Sequence, residues 1–265
     1  MQQFGRSRAT RRLAAITCVA LAAFGATAAA APVTTDGSTP APASIERLVT
    51  TVPQTTLDTV GRGSIHDRRF TTKRLHGKAL TMRGRPQLLV GTLAWCPHCA
   101  AANFGISIAL SRFGTLQGLS IINTGPYFIS LPNVNGLSFS RATFASPLIG
   151  FTDAILQDNS APPQPFEKPT RAEQLEFGRV DKQNGFPVVI VGGRYGFSGI
   201  PFDPSVIQGK SAADTARLLA DPKTPVAKAI DGYANLLTAA ICTTTAQQPI
   251  AVCTSPAVEA AARGL

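Results

Sequence analysis

The stretch 87-QLLVGTLAWCPHCAAANFGISIALSRFG-114 decides the fold. Its first half is a nearly continuous apolar run, the pattern of a strand buried on both faces. From Pro97 to Phe113 the residues favour a helix and are apolar around most of its circumference, and Gly114 offers a left-handed stop. Cys96-Pro97-His98-Cys99 therefore sits at a strand-to-helix junction. Proline suits the first helical position because its missing N–H would have no partner there.

Two cysteines three apart on the first turn of a helix can act as a redox pair, form a structural clip or supply half of a metal site. The first of them lies where unpaired backbone N–H groups and the helix dipole favour negative charge. That lowers its pKa, and the thiolate is the reactive form. An imidazolium at His98 would stabilise Cys96 as thiolate further, and a stabilised reduced form makes a stronger oxidant. A clip of this spacing closes almost no loop, so it gives little entropic stabilisation. A zinc site needs two more ligands at ligand spacing, and neither His66 nor His76 supplies it. The redox reading is the one we carry forward, with no metal and no cofactor.

The rest of the chain sets the context. Residues 1–30 read as an export signal: a basic segment with Arg6, Arg8, Arg11 and Arg12, an apolar run over 13–24, then small residues before Pro32. Export places the chain where disulfides persist. Cys18 leaves with the signal, so Cys96, Cys99, Cys242 and Cys253 remain. Local spacing favours Cys96 with Cys99 and Cys242 with Cys253. The second pair reads first as a structural disulfide, with a relay pair feeding Cys96–Cys99 as the sharper alternative.

The formal net charge is +10, from 25 Lys and Arg against 15 Asp and Glu. Without the four signal arginines, 21 basic residues face 15 acids, an excess of +6. There is no basic run and no interleaving of arginines with aromatics, so nucleic acid is excluded as the expected partner.

Residues 31–44 are rich in Pro, Thr, Ser and Ala and read as a disordered linker. Scattered apolar positions over 45–62 suggest a short helix, and 78–83 a short strand. Residues 119–125 read as the strand after the CPHC helix, and LSFSRATF (137–144) as one alternating strand. Thr170 and Glu173 form a capping box for a helix to about Lys182. PVVIVGG (187–193) reads as a strand, with residues 195–200 as its hairpin partner. Ser211 and Thr224-Pro225 each start a helix. Residues 256–265 read as a tail.

WCPHC at such a junction resembles a thioredoxin-fold active site, and Cys-Pro-His-Cys itself is DsbA-like. Together with SFSRATFASPLIGFT (138–152) and ICTTTAQQPIAVC (241–253), it resembles an exported family of unknown function (domain of unknown function 929 type). The resemblance covers roughly residues 45–255. It implies an α/β, thioredoxin-like fold, with an insertion at about 126–184 between the CxxC half and the half carrying a cis-proline. Pro187, before the VVIV strand, stands where that proline belongs, and Phe186 precedes it. The implied site is Cys96, Cys99 and His98 as catalytic residues, with Trp95, Pro97, Phe186 and Pro187 against the substrate. Thioredoxin-like sites often hold a buried acid on the strand before the cysteines, and Gln87 to Ala94 carries none. The expected function is an exported thiol–disulfide oxidoreductase leaning to the oxidase or isomerase direction. Its partners would be protein thiols and disulfides and a membrane redox protein that recharges it. The alternative is a non-catalytic binding or assembly module of the cell envelope.

Overall fold

The computed structural model describes residues 36–64, 71–180 and 185–265. The expected export signal, and His66, lie outside the described residues. Along the chain run β1 (Thr39–Pro40), α1 (Ala43–Thr50), α2 (Gln54–Val60), β2 (Thr71–Arg74), β3 (Thr81–Met82), β4 (Arg85–Thr92), α3 (Pro97–Ser111), β5 (Thr115–Gln117), β6 (Ser120–Asn123), β7 (Asn135–Ser138), β8 (Thr143–Ala145) and β9 (Gly150–Ile155). Then come α4 (Arg171–Val180), β10 (Val188–Val191), β11 (Tyr195–Ser198), a 3-10 turn (Pro204–Ile207), α5 (Ala212–Leu218), α6 (Pro225–Thr244), α7 (Ile250–Cys253) and α8 (Pro256–Ala262).

The fold is mixed α/β, built on a sheet centred on β4. On one side β10 pairs with β4 antiparallel, Val189 opposite Val90. On the other, β9 pairs with it in parallel, from Gln87 opposite Gly150 to Thr92 opposite Ile155. β11 and then β2 extend the β10 side, and β3 pairs with the start of β4. The alternation of a strand assigns its two faces. Leu88 and Val90 of β4 and Val189 and Val191 of β10 join the main core with α3 and α6. Leu89, Val188 and Ile190 turn the other way, into a smaller cluster with Val180 and Phe177 of α4. A sheet covered on both faces explains why Leu88–Val90 reads as continuously apolar.

α3 and α6 cross closely because Gly105 is a glycine. A Cβ there would stand 2.8 Å from Tyr233 Cδ1 and 3.2 Å from the Ile230 carbonyl oxygen. The capping signals act as read. The Glu173 carboxylate accepts the Thr170 N–H at 2.7 Å, and Thr170 Oγ1 accepts the Glu173 N–H at 3.3 Å. Ser211 Oγ accepts the Asp214 N–H at 3.0 Å, and Thr224 Oγ1 the Ala227 N–H at 3.0 Å.

Several expectations need correction. The linker over 31–44 does not extend past Asp36. Asp36 and Ser38 are buried, β1 pairs with β6, and α1 begins at Ala43. The polar residues that suggested a tether satisfy one another: Asp36 accepts from the Ser38 N–H, Ser38 Oγ and Ser138 Oγ. Residues 256–265 are not a free tail, because α8 buries Ala257, Val258 and Ala261 against the helical layer. Residues 126–184 are not one insertion, because β9 lies among them and is a central strand. What intervenes between α3 and β9 is the β5–β8 pair and strands β6 and β7, which β1 joins in a small sheet.

LSFSRATF is two short strands, not one. The Ala142 N–H closes a turn on the Phe139 carbonyl, so β7 pairs with β6 and β8 with β5. Gly114 does not stop α3 by a left-handed turn. It is required because a Cβ would lie 2.3 Å from the Ala145 carbonyl oxygen.

Candidate active site

β4 delivers Cys96 and α3 carries Cys99. Cys96 is the N-cap of α3, with extended backbone (φ −88°, ψ 119°), and Pro97 occupies the first helical turn. Its sulfur does the work of a capping oxygen: the Cys99 N–H donates to Cys96 Sγ at 3.4 Å. Both cysteines are free thiols and both are buried, Cys96 at 5 % and Cys99 at 1 % exposure.

The two thiols have opposite electrostatics. The facing Cys99 thiol, then His98 and the Cys99 N–H, outweigh burial and hold Cys96 down at about 5. Burial, then the Cys96 sulfur beside it and the Asp153 carboxyl, push Cys99 well above the ordinary thiol range. One cysteine is a thiolate at neutral pH while its neighbour keeps its proton, the division of labour that exchange through a mixed disulfide needs.

Cys96 lines a cavity of ≈ 250 Å³ together with Trp95, His98, Phe128, Phe186 and Ile200. The Phe186–Pro187 peptide is cis. Pro187 itself is buried behind this cavity, at the start of β10, and Pro97 is buried at the start of α3. Trp95 is half-buried and donates its indole N–H to Gln157 Oε1 at 2.8 Å. His98 is half-buried, and its ring meets Phe128 edge-on with centroids 5.3 Å apart. His98 and Phe128 also line a larger neighbouring cavity of ≈ 830 Å³, with Leu131, Phe202 and Val206. Thus Trp95, Cys96, His98 and Phe186 converge on one opening, while Cys99 faces inward.

Sequence reading missed Gln157, Phe128 and, most importantly, Asp153. The acid absent from β4 stands on its parallel neighbour, with Asp153 opposite Val90. Thr92 Oγ1 lies 3.3 Å from Asp153 Oδ1. Burial and the Glu167 carboxylate push Asp153 well above the usual carboxylate range. The signal for it is GFTDAI (150–155), an acid inside a strand-like segment that falls within the span read as an insertion.

Cys242 and Cys253 are disulfide-bonded, with sulfurs 1.98 Å apart and both residues buried. They stand at the other end of the sheet. The last turn of α6 brings Thr244 against Gly192, whose N–H bonds the Gln87 carbonyl at the start of β4. Cys96 follows the far end of that strand, about 20 Å away at the rise of an extended chain. The disulfide is present, and the two cysteine pairs lie apart. His76 is likewise remote, its carbonyl held by Arg179 of α4.

Among the described residues there is no group of three metal-ligating side chains, and no helix is long and apolar enough to cross a membrane. No curated protein and no solved structure matches the chain. Residues 72–162, about a third of the chain, match a family model described as a domain of unknown function, DUF929. The matched segment contains Cys96, His98, Cys99 and Asp153 and ends before Phe186 and Pro187, so the chain is similar to that family over the CPHC half of its site.

Proposed function

We propose that this protein is an exported thiol–disulfide oxidoreductase of thioredoxin-like architecture, acting on protein thiols through Cys96 and Cys99. The observation that carries the reading is the asymmetry of the pair. Cys96 is held as a thiolate at about 5 and lines an open cavity, while Cys99 is buried with its pKa raised. The order β9-β4-β10-β11, with α3 following β4, is what a thioredoxin-like sheet would have. The ≈ 830 Å³ cavity beside the site, with Ile129 91 % exposed between two of its lining residues, suits a polypeptide client.

In the oxidising direction a client thiolate attacks Cys96 Sγ of the Cys96–Cys99 disulfide. The S–S bond breaks, Cys99 leaves as a thiolate and is protonated, and client and Cys96 share a mixed disulfide. A second client thiolate displaces Cys96, which leaves as a stabilised thiolate. The client is oxidised by two electrons and the chain is left as the dithiol. A membrane redox protein that reoxidises the pair is the expected partner.

The second reading, a binding module of the envelope, draws on the burial of both sulfurs. The reduction potential of Cys96–Cys99, titrated in glutathione buffers, separates the two. A value between about −120 and −180 mV marks a disulfide donor, and one below about −250 mV removes the oxidase reading.

A further inference from the structure

A third cavity lies at the other end of β4 from Cys96. It measures ≈ 630 Å³ and sits between the β3–β4 hairpin and the segment that runs from β8 into β9. Met82, Phe144, Ile149 and Phe151 give it apolar walls, and Arg83 and Arg85 line it with them. The rings of Phe144 and Phe151 meet edge-on with centroids 6.1 Å apart, and both residues are half-buried. Arg85 is half-buried too. Its Nη1 donates to the Ser146 carbonyl, which ties the guanidinium across the cavity. Among the described residues the ion pairs are Arg179–Glu176 and Arg217–Asp214, so neither cavity arginine has an acid as partner there.

Arg83 is exposed and stands in a two-residue hairpin turn. Met82 pairs with Arg85, and the two turn residues have φ +51° at Arg83 and +77° at Gly84. Such a turn favours Asn, Asp or Gly at its first position, and an arginine there is strained. The chain thus keeps a long cationic side chain where local backbone energetics disfavours it.

Charge is segregated around the cavity. Between Asp67 and Asp153 the sequence has no acidic residue and nine lysines and arginines, and every residue lining the cavity lies in that span. The exposed Lys78 and Arg194 belong to the same end of the sheet. The Lys78 carbonyl lies against Gly193, and the Gly192 N–H bonds the Gln87 carbonyl near the start of β4.

We propose that this end of the molecule docks on an anionic phospholipid surface, with a lipid phosphate held by Arg83 and Arg85 and its glycerol and first acyl carbons against Phe144 and Phe151. Charge complementarity names the occupant. Guanidinium groups bind phosphate through paired N–H···O bonds, and the hollow beside them is apolar, which fits an anionic amphiphile. β4 has eight residues, so Cys96 stands about 25 Å from the docked end at the rise of an extended strand. The opening shared by Trp95, Cys96, His98 and Phe186 therefore lies away from the bilayer and stays open to clients.

The test uses the full-length protein and vesicles of phosphatidylcholine, alone or mixed with phosphatidylglycerol, with a nitroxide quencher on some headgroups. Each basic residue near an anionic surface is worth about 1 kcal/mol, or about fivefold in partition. Wild type should partition about tenfold or more better onto the anionic vesicles and lose that preference in high salt. Arg83→Gln with Arg85→Gln should lower partition about 25-fold. Arg83→Gln alone should lower it about fivefold, and it carries the test if the double variant fails to fold. Lys223→Gln with Lys228→Gln removes the same charge from exposed positions around the start of α6 and should leave partition near wild type. All arms keep residues 1–30, so any pull of that segment is common to them. Emission of Trp95, the single tryptophan, should escape the quencher, and a chain with Trp95→Phe and Phe144→Trp should be quenched on the vesicles.

Equal partition onto the two vesicle types overturns the proposal. An equal loss in the lysine and arginine variants also overturns it, because it marks diffuse charge. Quenching of Trp95 with none at position 144 overturns the docked orientation and the cavity's part in it. A thermal shift with inorganic phosphate that the arginine variants lose, without vesicle binding, makes the cavity a soluble-anion site and overturns the docking. No readout uses the thiols, so each outcome is independent of the thiol–disulfide reading.

Discussion

The Cys99 backbone N–H donates to Cys96 Sγ across 3.4 Å, so the residue that would resolve a mixed disulfide under the proposed function also stabilises the Cys96 thiolate. With the facing thiol and His98, it holds Cys96 at about 5 against an ordinary thiol value of about 8.5. In the reduced chain, alkylation of Cys96 by iodoacetamide should therefore be flat from pH 9 to pH 6 and fall with a midpoint near 5. The thiolate's contribution to stability of the dithiol form is complete above about 8.5 and is lost as pH falls through the folded value. Denaturant unfolding of reduced wild type should lose more stability over that window than reduced Cys96→Ser does. An alkylation midpoint above about 7.5 would leave Cys96 an unactivated thiol.

His98 contributes to the same thiolate, by hydrogen bonding and by charge, after the Cys99 thiol. His98→Ala should raise the alkylation midpoint of Cys96, and Cys99→Ala should raise it further. Each unit of rise destabilises the reduced form and lowers the potential by about 30 mV. An unchanged potential in His98→Ala, measured against glutathione, would mean the imidazole does not act on the pair.

The Cys242–Cys253 bridge closes a loop with a sequence separation of 11. Its removal by Cys242→Ala with Cys253→Ala should cost roughly 3 kcal/mol in denaturant unfolding, by the chain-entropy model. The same double variant should keep the potential of Cys96–Cys99, because the bridge lies at the opposite end of β4. A shifted potential would revive a relay between the two pairs.

The α3–α6 crossing predicts a contrast between two helical glycines. Gly105→Val would drive side-chain atoms into Tyr233 and the Ile230 carbonyl and should destabilise by about 1–3 kcal/mol or more. Gly178, in α4, has nothing within 4 Å of an added Cβ. Gly178→Ala should stabilise by about 0.5–1 kcal/mol through helix propensity. Urea unfolding of the two variants decides it, and equal effects would mean the crossing is not tight.

Elements governed by neighbours in the chain were legible without coordinates. The apolar run of β4, Pro97 at the start of α3, the Thr170–Glu173 box and the caps at Ser211 and Thr224 depend on residues a turn apart or less. The chemistry of Cys96 followed from the same local logic, since a helix start and an adjacent histidine suffice to favour a thiolate. The expectations that failed depend on distant pairing. Residues 36–40 looked like linker because their partners, Ser138 and β6, lie some eighty to a hundred residues away. Gly114 looked like a helix stop because the Ala145 carbonyl that requires it belongs to another strand.

Chain order alone runs a strand into a helix at Cys96-Pro97-His98-Cys99 and puts the first cysteine where a helix start favours a thiolate. What stands behind the second is set by tertiary contacts. Parallel pairing of β9 with β4 places Asp153 beside Val90, and the approach of β7 to α3 places Ser138 and Asn103 on one cavity with Cys99. Spacing along the chain sets local backbone geometry and dipoles, but burial and through-space charge depend on which segments meet. The environment that raises Cys99 is made by such meetings, and no local pattern encodes them.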